Sequence, residues 1–239
     1  FFGGDIFGSY GIPEGIFDDD GDDLHEFLHL AREYFASVIG HYKSYVSKNF
    51  LKLEGEAAAP KMVLPAHGLL WRKNPSQIID AYTNWANGTP EKGKVVVVYS
   101  SMYGFVKKSV EVVIDDLKKR GFDPEVLRFT DEYRDDLVDV LGQIPDSEAL
   151  VLATETYEAG VFPLMAYIID EILHKVAYEK PMLLLSAFGW GGMVNKQLIP
   201  KLEESSFQLV DAIEIRSLLD DEGRENILAG VSKLVNAIH

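Results

Sequence analysis

Val95-Val96-Val97-Val98-Tyr99-Ser100-Ser101-Met102-Tyr103-Gly104-Phe105-Val106 is the stretch on which the fold turns. Five β-branched or aromatic residues in succession suit a strand buried on both faces, as in a parallel sheet covered by helices. The small hydroxyl and glycine residues that follow form a strand-to-helix turn. Beyond it, from about Val106 to Lys119, Val110, Val113, Ile114 and Leu117 recur on one helical face, and Lys118-Lys119-Arg120-Gly121 supplies cations and then a glycine at the carboxyl end.

The same alternation continues downstream. Strands are expected near 126–129, 149–153, 182–185 and 207–215, and helices near 135–141, 163–175, 196–204 and 221–238. Five βα repeats in about 145 residues imply a doubly wound parallel sheet, whose ligands belong at the carboxyl ends of the strands, where strand order reverses. Upstream, the Gly- and Pro-rich stretch Asn87-Gly88-Thr89-Pro90-Glu91-Lys92-Gly93 reads as a linker, residues 87–93, between a first region, 1–86, and this domain, 94–239.

The first region is patterned differently. Leu24, Leu28, Ala31, Phe35, Val38, Tyr42 and Tyr45 follow a helical period and predict one long amphipathic helix. A short strand over Lys61–Leu64 leads into Pro65-Ala66-His67-Gly68, and Asn74-Pro75 is expected to cap a helix carrying Ile78, Ile79, Tyr82 and Trp85. One strand and two helices make a poor independent domain, so this region reads as the tail of a larger α/β unit. The opening Phe1-Phe2-Gly3-Gly4-Asp5, without a Met, reads as the middle of a strand and turn, and no signal peptide is evident.

Composition narrows the function. The 239 residues hold 23 basic and 38 acidic side chains, a net charge of −15; such a polyanion repels nucleic acid and anionic membrane surfaces, so neither is expected as a partner. No apolar run approaches the ~20 residues of a membrane span. With no cysteine there is no disulfide, no thiolate and no Cys-ligated cluster, which suits a reducing cytoplasm. Redox chemistry would need an organic cofactor, or a metal held by His and carboxylates.

Three strand-end loops carry the candidate site. The first is Ser100–Val106, whose hydroxyls and backbone N–H groups at a helix start suit a phosphate; it is neither a GxGxxG nor a Walker loop. The second is Thr154-Glu155-Thr156-Tyr157-Glu158-Ala159-Gly160, and the third Ser186-Ala187-Phe188-Gly189-Trp190-Gly191-Gly192. Aromatics among glycines suit close approach and stacking of a planar ring, although Tyr157 and Trp190 could merely cap the sheet. A flat ring with a phosphate tail fits all three loops on one sheet edge.

Tyr-Ser-Ser-Met-Tyr-Gly, Thr-Tyr-Glu-Ala-Gly and Phe-Gly-Trp-Gly-Gly resemble the FMN loops of flavodiiron proteins, and the resemblance extends to Gly4-Asp5-Ile6-Phe7-Gly8 and Pro65-Ala66-His67-Gly68. It implies a flavodoxin-like five-stranded sheet of order 2-1-3-4-5, preceded by the C-terminal part of a metallo-β-lactamase-like αββα domain. It also implies reduction of O2 to water or NO to N2O. The FMN contacts would be Ser100, Ser101, Met102, Tyr103, Gly104, Phe105, Val106, Thr154, Thr156, Tyr157, Glu158, Ala159, Gly160, Ser186, Phe188, Gly189, Trp190, Gly191 and Gly192. Asp5 would bridge two irons and His67 would ligate one. The remaining iron ligands, a His-x-Glu-x-Asp-His motif and a further His, would lie upstream of Phe1, on a separate or cleaved chain. The resemblance further implies a rubredoxin-like electron donor and a head-to-tail homodimer or higher oligomer.

The chain departs from the flavodoxin pattern at Val106, where many such loops carry Thr, so Ser101 and the backbone amides are left to hold the phosphate. His25 and His29 lie four apart but lack a zincin Glu and read as decoration of a solvated face. The run Asp18-Asp19-Asp20-Gly21-Asp22-Asp23 lacks the register of an EF-hand and reads as a solvated acidic loop. His41, His174 and His239 show no companions. From the residues alone, two other functions remain open: an FMN electron-transfer module without metal chemistry, and a metallo-β-lactamase-type hydrolase with a flavodoxin appendage.

Overall fold

The computed structural model describes every residue except Asp22, residues 51–58 and His239, and the side chain of Phe50. Asp22 of the acidic run and the unassigned His239 thus lie outside the described residues. The chain divides into two units: residues 1–89 with 141–146, and residues 90–140 with 147–239.

In the second unit Val95–Val98 lie in β3 (Lys94–Ser101) and all four are fully buried. β3 pairs in parallel with β4 (Asp123–Thr130) on one side and with β5 (Ala149–Tyr157) on the other. β7 (Pro181–Phe188) and β8 (Gln208–Arg216) extend the sheet beyond β5. The order β4-β3-β5-β7-β8 is the expected 2-1-3-4-5 arrangement, and it puts the switch point between the carboxyl ends of β3 and β5. Crossovers run through α4 (Phe105–Lys119), α5 (Leu137–Gln143), α6 (Pro163–Lys175) and α7 (Val194–Glu203), and α8 (Asp221–Ile238) closes the chain. Val95, Val97, Val151, Leu183 and Leu185 form one core with Val110, Val113 and Leu117 of α4 and Ile227, Val231 and Leu234 of α8. Val96, Val98, Leu150, Leu152 and Leu184 are fully buried as well, which explains why the strands read as continuous apolar runs.

A feature absent from the sequence reading is β6 (Gly160–Val161), which folds back antiparallel on the end of β5 with Tyr157 opposite Gly160. The two residues between, Glu158 and Ala159, both have positive φ, 44° and 60°. That is the backbone of a tight two-residue hairpin turn, here made without glycine.

In the first unit, the single long helix expected from the periodicity is broken in phase. α1 (Leu24–Tyr34) passes into a π-helical turn at Phe35–Ile39 and a 3-10 turn at Gly40–Tyr42 before α2 (Lys43–Phe50). A π turn inserts a residue into the helical repeat. The buried stripe therefore moves to Ile39 and Val46, and Val38, Tyr42 and Tyr45 of the expected stripe are exposed. α3 (Pro75–Asn87) contributes Ile78, Tyr82 and Trp85 to the same core as Phe7, Tyr34 and Phe35. Tyr82 lies between Phe7 and Phe35, each 5.2 Å away centroid to centroid, and its hydroxyl donates to Gly8 O at 2.6 Å. Pro75 takes the first helical position as expected, but Asn74 makes no side-chain cap.

The acidic run is solvated only in part: Asp19, Asp20 and Asp23 are exposed, but Asp18 is not. Asp18 is buried, and its carboxylate accepts the backbone N–H groups of Arg72, Lys73 and Asn74 at 2.9, 3.0 and 2.8 Å. Arg72 pairs with Asp19 and Asp20, so the run is an anchor for the segment entering α3. His29 is likewise engaged, with Glu33 at 2.9 Å and Arg32 at 3.2 Å, whereas His25 is exposed. His41 meets the edge of Tyr42.

Candidate functional site

In the first unit, the expected short strand at 61–64 is displaced to Leu64–Pro65 (β2), which pairs in parallel with Phe2–Gly4 (β1). Gly4 lies opposite Pro65, and Ala66 N–H donates to Gly4 O at 2.8 Å. This two-residue ladder brings together side chains sixty positions apart: His67 Nε2 lies 3.4 Å from Asp5 Oδ1, both more than half exposed. Tyr34 of α1 is tilted against the His67 ring at 5.7 Å. Burial, and then the Asp5 carboxylate and Tyr10, push the Tyr34 phenol up to about 12. Tyr34, Ser9 and Tyr10 line a concavity with His67; sequence reading gave them no part, because Tyr34 shares the helical phase of the core residues. Asp5 and His67 have the chemistry of iron ligands, but among the described residues no third His or carboxylate joins them in a metal-holding group. They fit as part of a donor set.

In the second unit, the three loops meet on one cavity of about 290 Å³ at the carboxyl edge of the sheet. Of the nineteen residues assigned to FMN, nine border it: Ser101, Met102, Tyr103, Phe105 and Val106 from the first loop, Thr156 from the second, and Phe188, Gly189 and Trp190 from the third. Gly104 and Tyr103 border an adjoining cavity of about 430 Å³ with Lys107, Arg128 and Asp131.

The others have different places. Ser100, Thr154 and Ser186 are buried in the sheet beneath the cavity. Ser100 Oγ is shared with Thr154 Oγ1 at 2.8 Å, and Ser186 donates to Asn195 Oδ1 at 3.0 Å. Tyr157–Gly160 build the hairpin, steadied by Gln197, whose Nε2 donates to Ala159 O and whose Oε1 accepts from Val161 N–H. At Gly192 a Cβ would lie 2.4 Å from Glu214 Oε1, so this glycine serves packing; at Gly189 and Gly191 a Cβ would meet nothing within 4 Å.

The first loop is held in shape by its own residues. Ser101 Oγ accepts the backbone N–H groups of Gly104 and Lys107 at 3.1 and 3.3 Å, and Gly104 turns the chain into α4 with φ 81°, a conformation that costs an L-residue about 1–2 kcal/mol. The Ser101 hydroxyl hydrogen stays free to donate to an anion. Val106, the departure from the flavodoxin pattern, is buried in the core. Thr156 Oγ1 accepts from Met193 N–H at 3.0 Å, tying the second loop to the third.

Trp190 is fully exposed and does not cap the sheet, whereas Tyr157 is 39% exposed and set at a right angle to Phe162; Tyr103 is 80% exposed. An apolar cavity with a helix N-terminus at one end, exposed aromatics at its rim and open space over two glycines fits a planar ring carrying a phosphate. Three further residues line it that sequence reading did not assign: Glu155, Ala187 and Ser217. Glu155 was visible within the quoted second loop, but on a strand its burial could not be separated from that of Thr154. Ser217, at φ 60°, gave no signal.

This architecture is that of a flavodoxin-like cofactor-binding domain following a unit that pairs a carboxylate with an imidazole. No family model matches the chain. It is 27% identical over 206 residues to the nitric oxide reductase of Moorella thermoacetica, which covers 86% of this chain and 50% of that protein. A histidine-to-alanine mutant of the flavo di-iron protein from Thermotoga maritima matches 100% of this chain and 58% of its own, with 37% identity and a TM-score of 0.90. The fold is also that of the rubredoxin oxygen:oxidoreductase of Desulfovibrio gigas, at 22% identity and a TM-score of 0.90 over 99% of this chain and 59% of that one. The chain spans about half the length of the curated relatives it matches. Across its whole length the chain is similar to flavodiiron proteins.

Proposed function

We propose that residues 94–239 bind FMN and that residues 1–86, joined through 87–93, are the C-terminal part of a metallo-β-lactamase-like diiron domain. The whole protein is then an oxidoreductase that reduces O2 to water, NO to N2O, or both. Electrons pass from a small donor such as rubredoxin to FMN and on to iron. The convergence of three strand-end loops on one cavity carries this reading, and the likeness to nitric oxide reductases and flavo di-iron proteins supports it.

FMN would supply one-electron redox chemistry at the cavity, and iron would supply a binding site for a diatomic gas. The chain's own residues position these groups. The Ser101 hydroxyl and the amides at the start of α4 would hold the phosphate; Trp190, Tyr103 and Phe188 would flank the ring; Asp5 and His67 would ligate iron. The other iron ligands would be supplied from outside these residues, by the rest of the diiron domain. The assembly is a head-to-tail homodimer or higher oligomer, and a cytoplasmic location suits its cysteine-free composition. Among the described residues no helix is long and apolar enough to cross a membrane.

Reconstitution tests the flavin assignment. The protein stripped of flavin is expected to take up one FMN per chain, with quenching of the flavin fluorescence on stacking against aromatic rings; a protein that stays colourless overturns it. Iron is tested separately. In the intact protein with its N-terminal half, Asp5→Ala is expected to reduce bound iron from about two per chain to less than one and to abolish gas reduction, while reduction of FMN by the donor continues. Full iron content in that variant, or zinc in place of iron, would exclude the proposed role of Asp5.

A further inference from the structure

Among the described residues Glu155 is the one acidic residue bordering the cavity. It is 7% exposed and is tied to the first loop twice: its Oε2 accepts from Ser100 Oγ at 3.0 Å, and the Met102 N–H also bonds to its carboxyl. Its carboxyl group therefore sits against residues 100–102 of the first loop, the loop that leads into α4. Its other oxygen, Oε1, is buried and has no hydrogen-bond partner. A buried carboxylate with an orphan oxygen is costly as an anion, and protonation relieves that cost.

The same loop offers the helix N-terminus and the Ser101 hydroxyl, the groups suited to a phosphate. A phosphate monoester dianion there would face a second negative charge in a dry environment, where like charges raise one another's proton affinity. We propose that Glu155 makes binding of the flavin nucleotide proton-linked, the site taking up a proton on Glu155 as the phosphate enters. This rests on the assignment of the cavity to FMN.

Burial lifts the Glu155 carboxyl from 4.5 to about 7, against the pull of Ser100 and the Met102 N–H, and with a further upward push from Asp131. Asp131 shares the adjoining cavity with Glu132, Lys107, Arg128 and Tyr133, and Tyr103 borders both cavities. The empty site thus titrates near neutrality, and the occupied site titrates higher. Affinity is then greatest below pH 7 and falls as pH rises through the window between the two values, by at most about tenfold per pH unit.

Isothermal titration of the protein stripped of flavin with FMN, in buffers of different ionisation enthalpy between pH 7 and 9, measures the linkage directly. Over that range the nucleotide phosphate, with its second pKa near ~6, is already a dianion and contributes little. The expected result at pH 7.5 is uptake of more than about half a proton, with a Kd that rises at least about threefold per pH unit. Riboflavin, which lacks the phosphate, is expected to bind without proton uptake. Glu155→Gln is expected to bind FMN with a pH-independent Kd. FMN binding with no uptake, with proton release, or with equal uptake for riboflavin overturns the inference while leaving the flavin assignment intact. Absence of any FMN binding overturns both. The wild-type titrations decide the matter even where Glu155→Gln does not fold.

Discussion

Asp18→Ala is expected to destabilise the first unit by about 3–5 kcal/mol, the usual cost of removing one partner from a buried charged network. The substitution leaves three backbone N–H groups, those of Arg72, Lys73 and Asn74, without the carboxylate that gathers them. It also removes a negative charge from beside the start of α3, where the helix dipole favours one. Trp71 and Trp85, both in that unit's core, report its unfolding in urea. Asp18→Asn keeps an acceptor oxygen and should cost less. Burial on its own would raise the Asp18 carboxyl, but the three N–H bonds outweigh it and hold the group below its ordinary 3.8. A depressed folded pKa means that the contribution is fully present above about pH 4 and disappears as pH falls through the folded value. The acid limb of the stability profile should therefore flatten in Asp18→Ala. A change under about 0.5 kcal/mol, the range of ordinary surface substitutions, would mean that the anchor is not real.

Gly68→Ala should cost about 2–4 kcal/mol through two separable effects, overpacking and backbone strain. Gly68 has φ 78°, and a Cβ there would lie 1.9 Å from Ser9 Oγ. Rotating the Ser9 hydroxyl away is not enough, because Ser9 Cβ and N would still lie 3.0 and 3.1 Å from the new methyl, and the Ser9 N–H is held by His67 O at 3.3 Å. Adding Ser9→Gly should relieve the overpacking and leave the strain of the left-handed conformation, so the pair is expected to be non-additive. Because Gly68 follows His67, the single variant in the intact protein should also retain less iron. If Ser9→Gly rescues nothing, the contact with Ser9 is not the source of the loss.

How far the sequence could be read depended on which interactions are local. The β-branched run at Val95–Val98 suits a strand buried on both faces, and regularly spaced helices after it imply a parallel sheet, so the architecture of the second unit was legible in the pattern, while its strand order came from the resemblance. The three loops were legible as well, because strand ends in such sheets converge. What could not be read was which way individual side chains point. Ser100, Thr154 and Ser186 are hydroxyl residues in the right loops, yet alternation along the strands turns them into the sheet. In the first unit the π turn at Phe35–Ile39 shifts the phase by a fraction of a turn that no periodicity reveals, so Tyr42 and Tyr45 went to the wrong face. Asp18 read as solvated with the rest of the acidic run because its partners, the N–H groups of Arg72–Asn74, lie more than fifty residues away. Asp5 and His67 are similarly joined only through the β1–β2 ladder, a long-range pairing that the sequence does not show.

The Ser101 hydroxyl, with its lone pairs engaged by Gly104 and Lys107, bears on the kinetics of the site. A loop already closed around its own hydroxyl has little ordering left to do when a ligand arrives. Encounter is then governed by diffusion into a standing cavity, and variants of the aromatic rim should associate at nearly the parent rate. Differences among them belong to residence time, as is usual when a site is built in advance. Loosening the loop by Ser101→Ala is the change that would move the cost back to the approach.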